Sequence, residues 1–267
     1  DGIDTGNGIK MMHGRPMKDW NWYKGGYGYL TVTQILEVSS NIGTSSIIEK
    51  YYGSNPQKFV DGLKRMSIDQ PLQLQIAGEG KPNIKGPKER YFAKTTLPWM
   101  SIGYETQVPP MNILTFYNAI ANNGVMVRPK FVKAAIKNGE IVKEYPTEII
   151  NPKICSERTL KQIQEILYKV VHEGLAAPAG SKQFAVSGKT GTAQENKKRP
   201  NHALFISYAP YDNPDITMTV VVPNGYTSAN AAEIARDIYK YYFGKASKAE
   251  KKATTALLPT GSDGSND

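Results

Sequence analysis

Cysteine, histidine and long apolar runs are scarce in this chain of 267 residues. The one cysteine, Cys155, excludes an internal disulfide, and no recognisable nucleophile site surrounds it. The three histidines, His13, His172 and His202, lack the spacing of metal ligands, so we predict no metal site. No stretch of about 18 apolar residues occurs, and the sequence therefore predicts no membrane-spanning helix.

Acidic residues are outnumbered by basic ones, and the formal charge is +9. The basic residues are dispersed, apart from Lys197-Lys198-Arg199 and the stretch 245–252. No strand combines basic and aromatic residues in the pattern that stacks bases, so we expect no nucleic acid partner. The charge predicts a solvated surface with some attraction to anionic membrane or wall material.

Hydrophobic periodicity predicts one α+β domain in which helices cover an antiparallel sheet. Helices are predicted at 31–52, with an interruption near Ser39-Ser40-Asn41, and at 56–66, 110–122, 156–174 and 229–243. Strands of about 126–136 and 141–145 are predicted to form a hairpin at Asn138-Gly139. Strands at 184–192, 202–209 and 215–223 have short polar connections, which predict an antiparallel meander.

The remaining segments are predicted to be irregular. Residues 77–98 are rich in glycine and proline and predict a long loop. Residues 1–244 are assigned to the domain, and 245–267, which are poor in apolar residues, are predicted to be a disordered tail.

The most informative segment is the run Lys189-Thr190-Gly191-Thr192, which combines several groups suited to ligand binding. In an extended strand, Lys189 and Gly191 point to one face while Thr190 and Thr192 point to the other. Lysine supplies positive charge, the threonines supply hydroxyl and N–H donors, and the missing side chain of Gly191 lets a ligand backbone approach. This combination predicts an anionic, peptide-like ligand.

This run can be interpreted as part of either of two known motifs. Gly188-Lys189-Thr190 matches the end of a phosphate-binding loop, but Gln183 stands where that motif requires glycine, and no helix is predicted to follow. The other interpretation is the Lys-Thr-Gly element of serine enzymes that react with penicillin.

A second element is the Ser-x-Asn sequence of Ser39-Ser40-Asn41, which places a hydroxyl and an amide within one turn. Alone, such a stretch is more typical of a helix boundary rich in small polar residues. Because Lys189–Thr192 follows about 150 residues downstream, we favour a shared site in which hydroxyl, amide and ammonium cooperate.

With both elements, the chain resembles the transpeptidase domain of class B penicillin-binding proteins. Segments 99–104, 109–114 and 121–124 resemble the glycine turn, helix and following turn of that family, and 202–210 resembles its strand after Lys-Thr-Gly. Segment 14–20 with Gly25-Gly26 resembles division-type enzymes of Bacteroidetes-like bacteria. The resemblance covers about residues 1–243 and implies the penicillin-binding transpeptidase fold, which is shared with serine β-lactamases.

The resemblance implies a peptidoglycan D,D-transpeptidase that works through a serine acyl-enzyme and is acylated by β-lactams. By analogy, Ser39 relays protons with Lys189, and Asn41 holds the substrate amide. Lys189 and Thr190 favour the terminal carboxylate of the stem peptide, assisted by the Thr192 hydroxyl. The backbone N–H of Thr192 is implied to be an oxyanion donor, and a second such donor belongs to the nucleophilic serine.

The implied setting is the cell envelope, at the periplasmic face of the inner membrane, with an N-terminal anchor helix that is absent from this chain. Implied partners are peptidoglycan stem peptides, β-lactams, and proteins of wall synthesis or division. No cofactor is implied.

One departure from the family pattern is central. No serine here has lysine three positions later. In the nearest cases, Ser54 with Lys58 and Ser247 with Lys251, the spacing between the two residues is one position too long. Because the family's Ser-x-x-Lys lies upstream of the segment that resembles 1–8, we expect this chain to be part of a longer protein, inactive without its upstream part. The alternatives are a non-enzymatic β-lactam-sensing domain of a signalling receptor and an inactive wall-synthesis scaffold.

Overall fold

The computed structural model describes residues 2–194 and 199–256, with residues 246–256 described by their backbone only. Its helices are α1 (Val32–Glu37), α2 (Asn41–Tyr52), α3 (Pro56–Arg65), α4 (Thr96–Met100), α5 (Pro110–Ala121), α6 (Glu157–His172) and α7 (Ser228–Ala256). Its strands are β1 (Gly2–Asp4), β2 (Ile9–Met12), β3 (Arg15–Lys18), β4 (Tyr29–Thr31), β5 (Asn83–Ile84), β6 (Thr106–Gln107), β7 (Met126–Val127), β8 (Ala134–Lys137), β9 (Glu140–Glu144), β10 (Ile149–Asn151), β11 (Ser187–Ala193), β12 (His202–Ala209) and β13 (Ile216–Val222).

The largest sheet is the predicted meander. Its order is β11-β12-β13 and both pairs are antiparallel, with Lys189 opposite Ile206 and Ile206 opposite Thr219. Strand β11 begins at Ser187, later than predicted, and Phe184 and Val186 ahead of it pack in the core as a non-strand segment.

Helices cover both faces of this sheet. Phe205 and alternate residues of β12 and β13 pack against α7, where Ala231, Ala232 and Ala235 are fully buried and allow close approach. On the opposite face, Tyr208 packs with apolar residues of α5 and α6. Strand β11 is at one end of the sheet order, and no strand among the described residues pairs with its outer edge, which leaves backbone groups that an extended ligand can meet. The predicted α+β architecture is confirmed.

The predicted strand 126–136 is wrong in part. Strand β7 pairs with β10, and only β8 forms the hairpin with β9. Pro129 separates β7 from β8, and proline has no N–H to continue a ladder. The turn itself is as predicted, since Asn138 and Gly139 both have positive φ angles.

Two further boundaries differ from the prediction. The loop predicted at 77–98 contains β5, which pairs with β6, and its last residues belong to α4. Helix α7 continues to Ala256, so the predicted tail is helical over 245–256, where the sequence is rich in lysine and alanine, which have high helix propensity. Residues 257–267 of the predicted tail lie outside the described residues. No helix in the described part of the chain is long and apolar enough to cross a bilayer.

Candidate active site

The two predicted motifs meet in space. Lys189 Nζ on β11 donates a hydrogen bond of 2.7 Å to Ser39 Oγ, across 150 residues of sequence. The same ammonium donates to the carbonyl of Thr190 at 3.2 Å. The predicted proximity of Lys189 and Ser39 is therefore confirmed, whereas the convergence of Asn41 with them stays a prediction.

The ammonium of Lys189 is poorly solvated. Burial lowers the pKa of Lys189 to about 8, from 10.5 for an ordinary lysine. A group with a pKa near 8 can both give up and take back a proton close to neutral pH. The Lys189–Ser39 pair is thus suited to proton relay.

The backbone of Ser39 adopts an uncommon conformation, with φ of +54°. It follows the end of α1, where Ser39 N–H bonds to Leu36 O and Ser40 N–H bonds to Ile35 O. These two bonds form a Schellman motif, whose left-handed position is usually glycine. Serine there costs about 1–2 kcal/mol of backbone strain, and it aims a hydroxyl at Lys189 that glycine lacks.

A buried carboxylate holds the turn from beneath. Asp19, which is 1% exposed, accepts hydrogen bonds from Ser40 Oγ at 2.8 Å and from the Ile42 N–H at 3.0 Å. Ser40 Oγ in turn accepts from the Gly43 N–H and caps α2. An acidic side chain is favoured at a helix N-terminus, where backbone N–H groups lack internal partners.

The amide of Asn41 is oriented by the residue that precedes Asp19. Asn41 Nδ2 donates to the carbonyl of Lys18 at 2.9 Å, which leaves its Oδ1 as the acceptor that can meet a ligand N–H. Gly43 lets α2 approach α1, because a Cβ there would lie only 2.6 Å from the Ile35 side chain. The turn and both flanking helices thus form one rigid unit.

The remaining predicted residues lie along β11. Thr190, opposite Phe205, is 9% exposed, while Thr192 near the end of the strand is exposed. A Cβ at Gly191 would find its nearest neighbour, Leu204 Cβ, at an ordinary 3.5 Å, so the fold itself does not require glycine there. The ligand-binding roles assigned to Thr190, Gly191 and Thr192 stay predictions.

A cavity of about 610 Å³ opens beyond the same strand. Its walls include Ala193 and Leu204 of the sheet, and Ile113 and Phe116 of α5. Ala193 and Leu204 lie on the same face of the sheet as Lys189, by strand alternation. Gly103 belongs to the wall as well, and the neighbouring Tyr104 bonds through its hydroxyl to Gln194 at 3.4 Å.

Asp19 is the functional residue for which sequence reasoning assigned no role. Its partners lie 21 and 23 residues downstream, so no local spacing pairs them. The available signal was an acidic residue between Lys18 and Trp20 in a segment that resembles the family. Within the described residues, no group of three or more His, Cys, Asp or Glu side chains is arranged to hold a metal.

Comparison with known proteins decides the family. Residues 4–240 match the family model described as the penicillin binding protein transpeptidase domain. The chain belongs to this family. Similar proteins include the peptidoglycan D,D-transpeptidase MrdA of Haemophilus influenzae, 28% identical over 253 residues that cover 83% of this chain and 38% of that protein. Stage V sporulation protein D of Bacillus subtilis is 29% identical over 211 residues, which cover 76% and 32% of the two chains.

Solved structures confirm the transpeptidase fold. The D,D-transpeptidase domain from Eggerthella lenta superposes with a TM-score of 0.78 at 20% identity, over 91% of this chain and 60% of that one. Penicillin-binding protein 2B from Streptococcus pneumoniae gives 0.75 at 23% identity, over 90% and 44%. The chain spans about a third of the length of the two curated relatives above.

Proposed function

We propose that this chain is the C-terminal part of the transpeptidase domain of a peptidoglycan D,D-transpeptidase, which cross-links stem peptides through a serine acyl-enzyme and is trapped there by β-lactams. The observation that carries the proposal is the 2.7 Å contact between Lys189 Nζ and Ser39 Oγ. It joins the two motifs into one proton-transfer pair beside an open strand edge.

In the proposed reaction, the serine of an upstream Ser-x-x-Lys attacks the carbonyl of the penultimate D-alanine, and the neighbouring lysine takes its proton. The C–N bond to the terminal D-alanine breaks, and the leaving amine receives a proton through Ser39 and Lys189. The amino group of a second stem peptide then attacks the ester and gives up a proton, so that the cross-link forms and the serine is regenerated.

Residues of both walls are proposed to hold the substrate. Asn41 Oδ1 accepts the N–H of the peptide, because the other end of its amide is bonded to Lys18. Lys189 attracts the terminal carboxylate, with Thr190 and the Thr192 hydroxyl assisting. The peptide lies against the outer edge of β11 at Gly191, and the Thr192 N–H supplies one oxyanion donor.

An upstream part of the same protein is proposed to complete the domain. The apolar cavity between α5 and the sheet suits a buried helix, and β13 has no strand on its outer side among the described residues. Fully burying one large apolar side chain is worth about 1.5–3 kcal/mol, so a covering segment adds much of the stability of a typical domain. We therefore expect folded samples of the chain to associate or to retain an upstream peptide.

The cellular setting follows from the same proposal. The domain works in the cell envelope, at the periplasmic face of the inner membrane, because its substrate is wall peptidoglycan. An upstream helix anchors it there, and proteins of wall synthesis or division are its partners.

Covalent labelling with a fluorescent penicillin tests the proposal. The full-length protein should label at the serine of its upstream Ser-x-x-Lys, and Ser39→Ala should slow labelling by about 10²-fold because proton transfer is impaired. The isolated chain should not label. Stoichiometric labelling of the isolated chain at Ser39, or a full-length protein that labels but never forms cross-links, contradicts the proposal, and the second outcome favours a sensor.

A further inference from the structure

Two of the three tryptophans are displayed on the surface next to the Ser-x-Asn turn. Trp20 is 51% exposed and Trp22 is 43% exposed, whereas Asp19 and Asn21 beside them are 1% and 8% exposed. The segment thus turns its polar side chains inward and its aromatic ones outward. Large exposed apolar groups that cluster in this way mark an interaction site more often than scattered ones do.

These rings form a continuous surface. Trp22 and Tyr23 meet edge to face at 6.3 Å between centroids. Lys18 Nζ lies 4.0 Å from the centre of the Trp22 ring, and Lys24 Nζ lies between Trp20 and Tyr23, at 5.7 Å and 5.6 Å. We call these five residues the aromatic patch. It contains two cations and no anion.

The aromatic patch is rigid before any ligand arrives. A short 3₁₀ helix spans Trp22–Lys24, and its first N–H bonds to Asp19 O at 3.2 Å. The chain then leaves through Gly26, which has a φ of +74° and bonds to Asn21 O. A Cβ at Gly26 would lie 2.2 Å from the Gly8 backbone nitrogen, so only glycine fits. A backbone held in place in this way loses little conformational entropy on binding.

The patch is joined directly to the candidate active site. The carbonyl of Lys18 accepts the bond from Asn41, and Asp19 accepts those from Ser40 and Ile42. Lys18 therefore links the two, since its carbonyl orients Asn41 while its ammonium lies over the Trp22 ring.

We propose that the aromatic patch binds the glycan strand of peptidoglycan, from which the stem peptide in the active site projects; this rests on the proposed function. The C–H bonds on the face of a sugar ring carry partial positive charge and stack on the negative faces of Trp and Tyr. Lys18 and Lys24 have long stems, so their ammonium groups swing aside and donate to sugar hydroxyls or to stem-peptide carboxylates.

Binding of peptide-free glycan strands to the full-length protein, measured by isothermal titration calorimetry, tests the inference. We expect saturable binding that Trp22→Ala weakens about tenfold or more, as for a central aromatic contact. Trp20→Ala should weaken it as well, and Lys18→Gln should weaken it less. The matched control is Tyr241→Ala, because Tyr241 is 64% exposed and has Lys245 Nζ 4.4 Å from its ring but lies on α7.

Three outcomes of the binding experiments overturn the inference. Absence of saturable binding does so, as does binding that Trp22→Ala and Lys18→Gln leave unchanged. Binding to vesicles of phosphatidylglycerol and phosphatidylethanolamine that depends on Trp22, without glycan binding, assigns the patch to a membrane surface instead. Penicillin labelling of the unmodified full-length protein judges the proposed function separately. Labelling without glycan binding contradicts only this inference. Glycan binding without labelling supports the patch as a glycan site and contradicts the proposed enzymatic function.

Discussion

The two walls of the candidate active site are held in place by different means. The turn that carries Ser39 and Asn41 is fixed by side chains, chiefly the buried carboxylate of Asp19 and the capping hydroxyl of Ser40. Strand β11 is fixed by its backbone pairing with β12, in continuous register from Ser187 to Ala193.

This difference predicts how each wall responds to substitution. A side-chain change beneath the turn removes the bonds that define its shape. On the strand, the pairing of N–H and C=O groups does not depend on side-chain identity, so a substitution changes chemistry or packing and leaves position intact. We therefore expect substitutions beneath the turn to move the catalytic groups more than substitutions on the strand do.

The largest effect is expected at Asp19. Asp19→Ala leaves the Ser40 hydroxyl without an acceptor and the Ile42 N–H without a partner in a buried site, which should lower the free energy of unfolding by about 3–5 kcal/mol. Urea denaturation measures this loss. Asp61→Ala is the control, because exposed Asp61 bonds only to Gln57 on the surface of α3. Equal small effects at both positions would show that the turn does not rely on the carboxylate.

The next effect is a pH dependence at Lys189. Its pKa falls from 10.5 to about 8 on folding, so between these values the unfolded chain binds the additional proton. Stability therefore rises with pH from about 8 to 10.5, by at most about 3 kcal/mol. Lys189→Met should abolish this rise while leaving the strand in place.

Urea denaturation of both proteins at pH values of about 7.5, 9 and 10.5, which span the interval between the two pKa values, checks this dependence. The control is Lys182→Met, which removes an exposed lysine. If the difference in free energy of unfolding between the wild type and Lys189→Met does not change with pH, the ammonium is better solvated than the structure indicates.

Two glycines on β11 provide a matched pair with smaller effects. A Cβ at Gly188 would lie 2.6 Å from Ile206 O and 2.8 Å from Phe205, so Gly188→Ala should destabilise by about 1–3 kcal/mol. Gly191→Ala should change stability by no more than about 0.5 kcal/mol. In the full-length protein, however, the methyl group that Gly191→Ala introduces projects towards the ligand, and we expect penicillin labelling to slow roughly 10–100-fold. Normal labelling of Gly191→Ala would place the ligand elsewhere.

Sequence alone predicted the parts of this molecule that rest on local pattern. The meander, the Ser156-capped helix α6 and the Asn138-Gly139 turn follow from periodicity and turn chemistry. The pairing of Ser39 with Lys189 came from motif chemistry and family resemblance, because no spacing rule spans 150 residues.

The features that escaped prediction depend on tertiary contacts. Asp19 has partners that only the folded chain brings close, and β7 pairs with β10, which follows the β8–β9 hairpin in sequence. The aromatic patch also needed the structure, since the sequence 19–23 does not show which of its side chains turn inward.

A small gain in stability is expected at Ser39, which joins the turn to the strand through its bond to Lys189. Ser39→Gly relieves the strain of a left-handed residue, and the greater entropy of glycine in the unfolded chain offsets part of that gain. The free energy of unfolding should therefore rise, by no more than about 1 kcal/mol, although the bond to Lys189 is lost. Ser39→Ala loses the same bond and keeps the strain, so it should be less stable than Ser39→Gly. Urea denaturation of the three proteins compares these free energies. If Ser39→Ala proves to be the more stable variant, the turn is not strained, and the serine at this position carries no backbone cost.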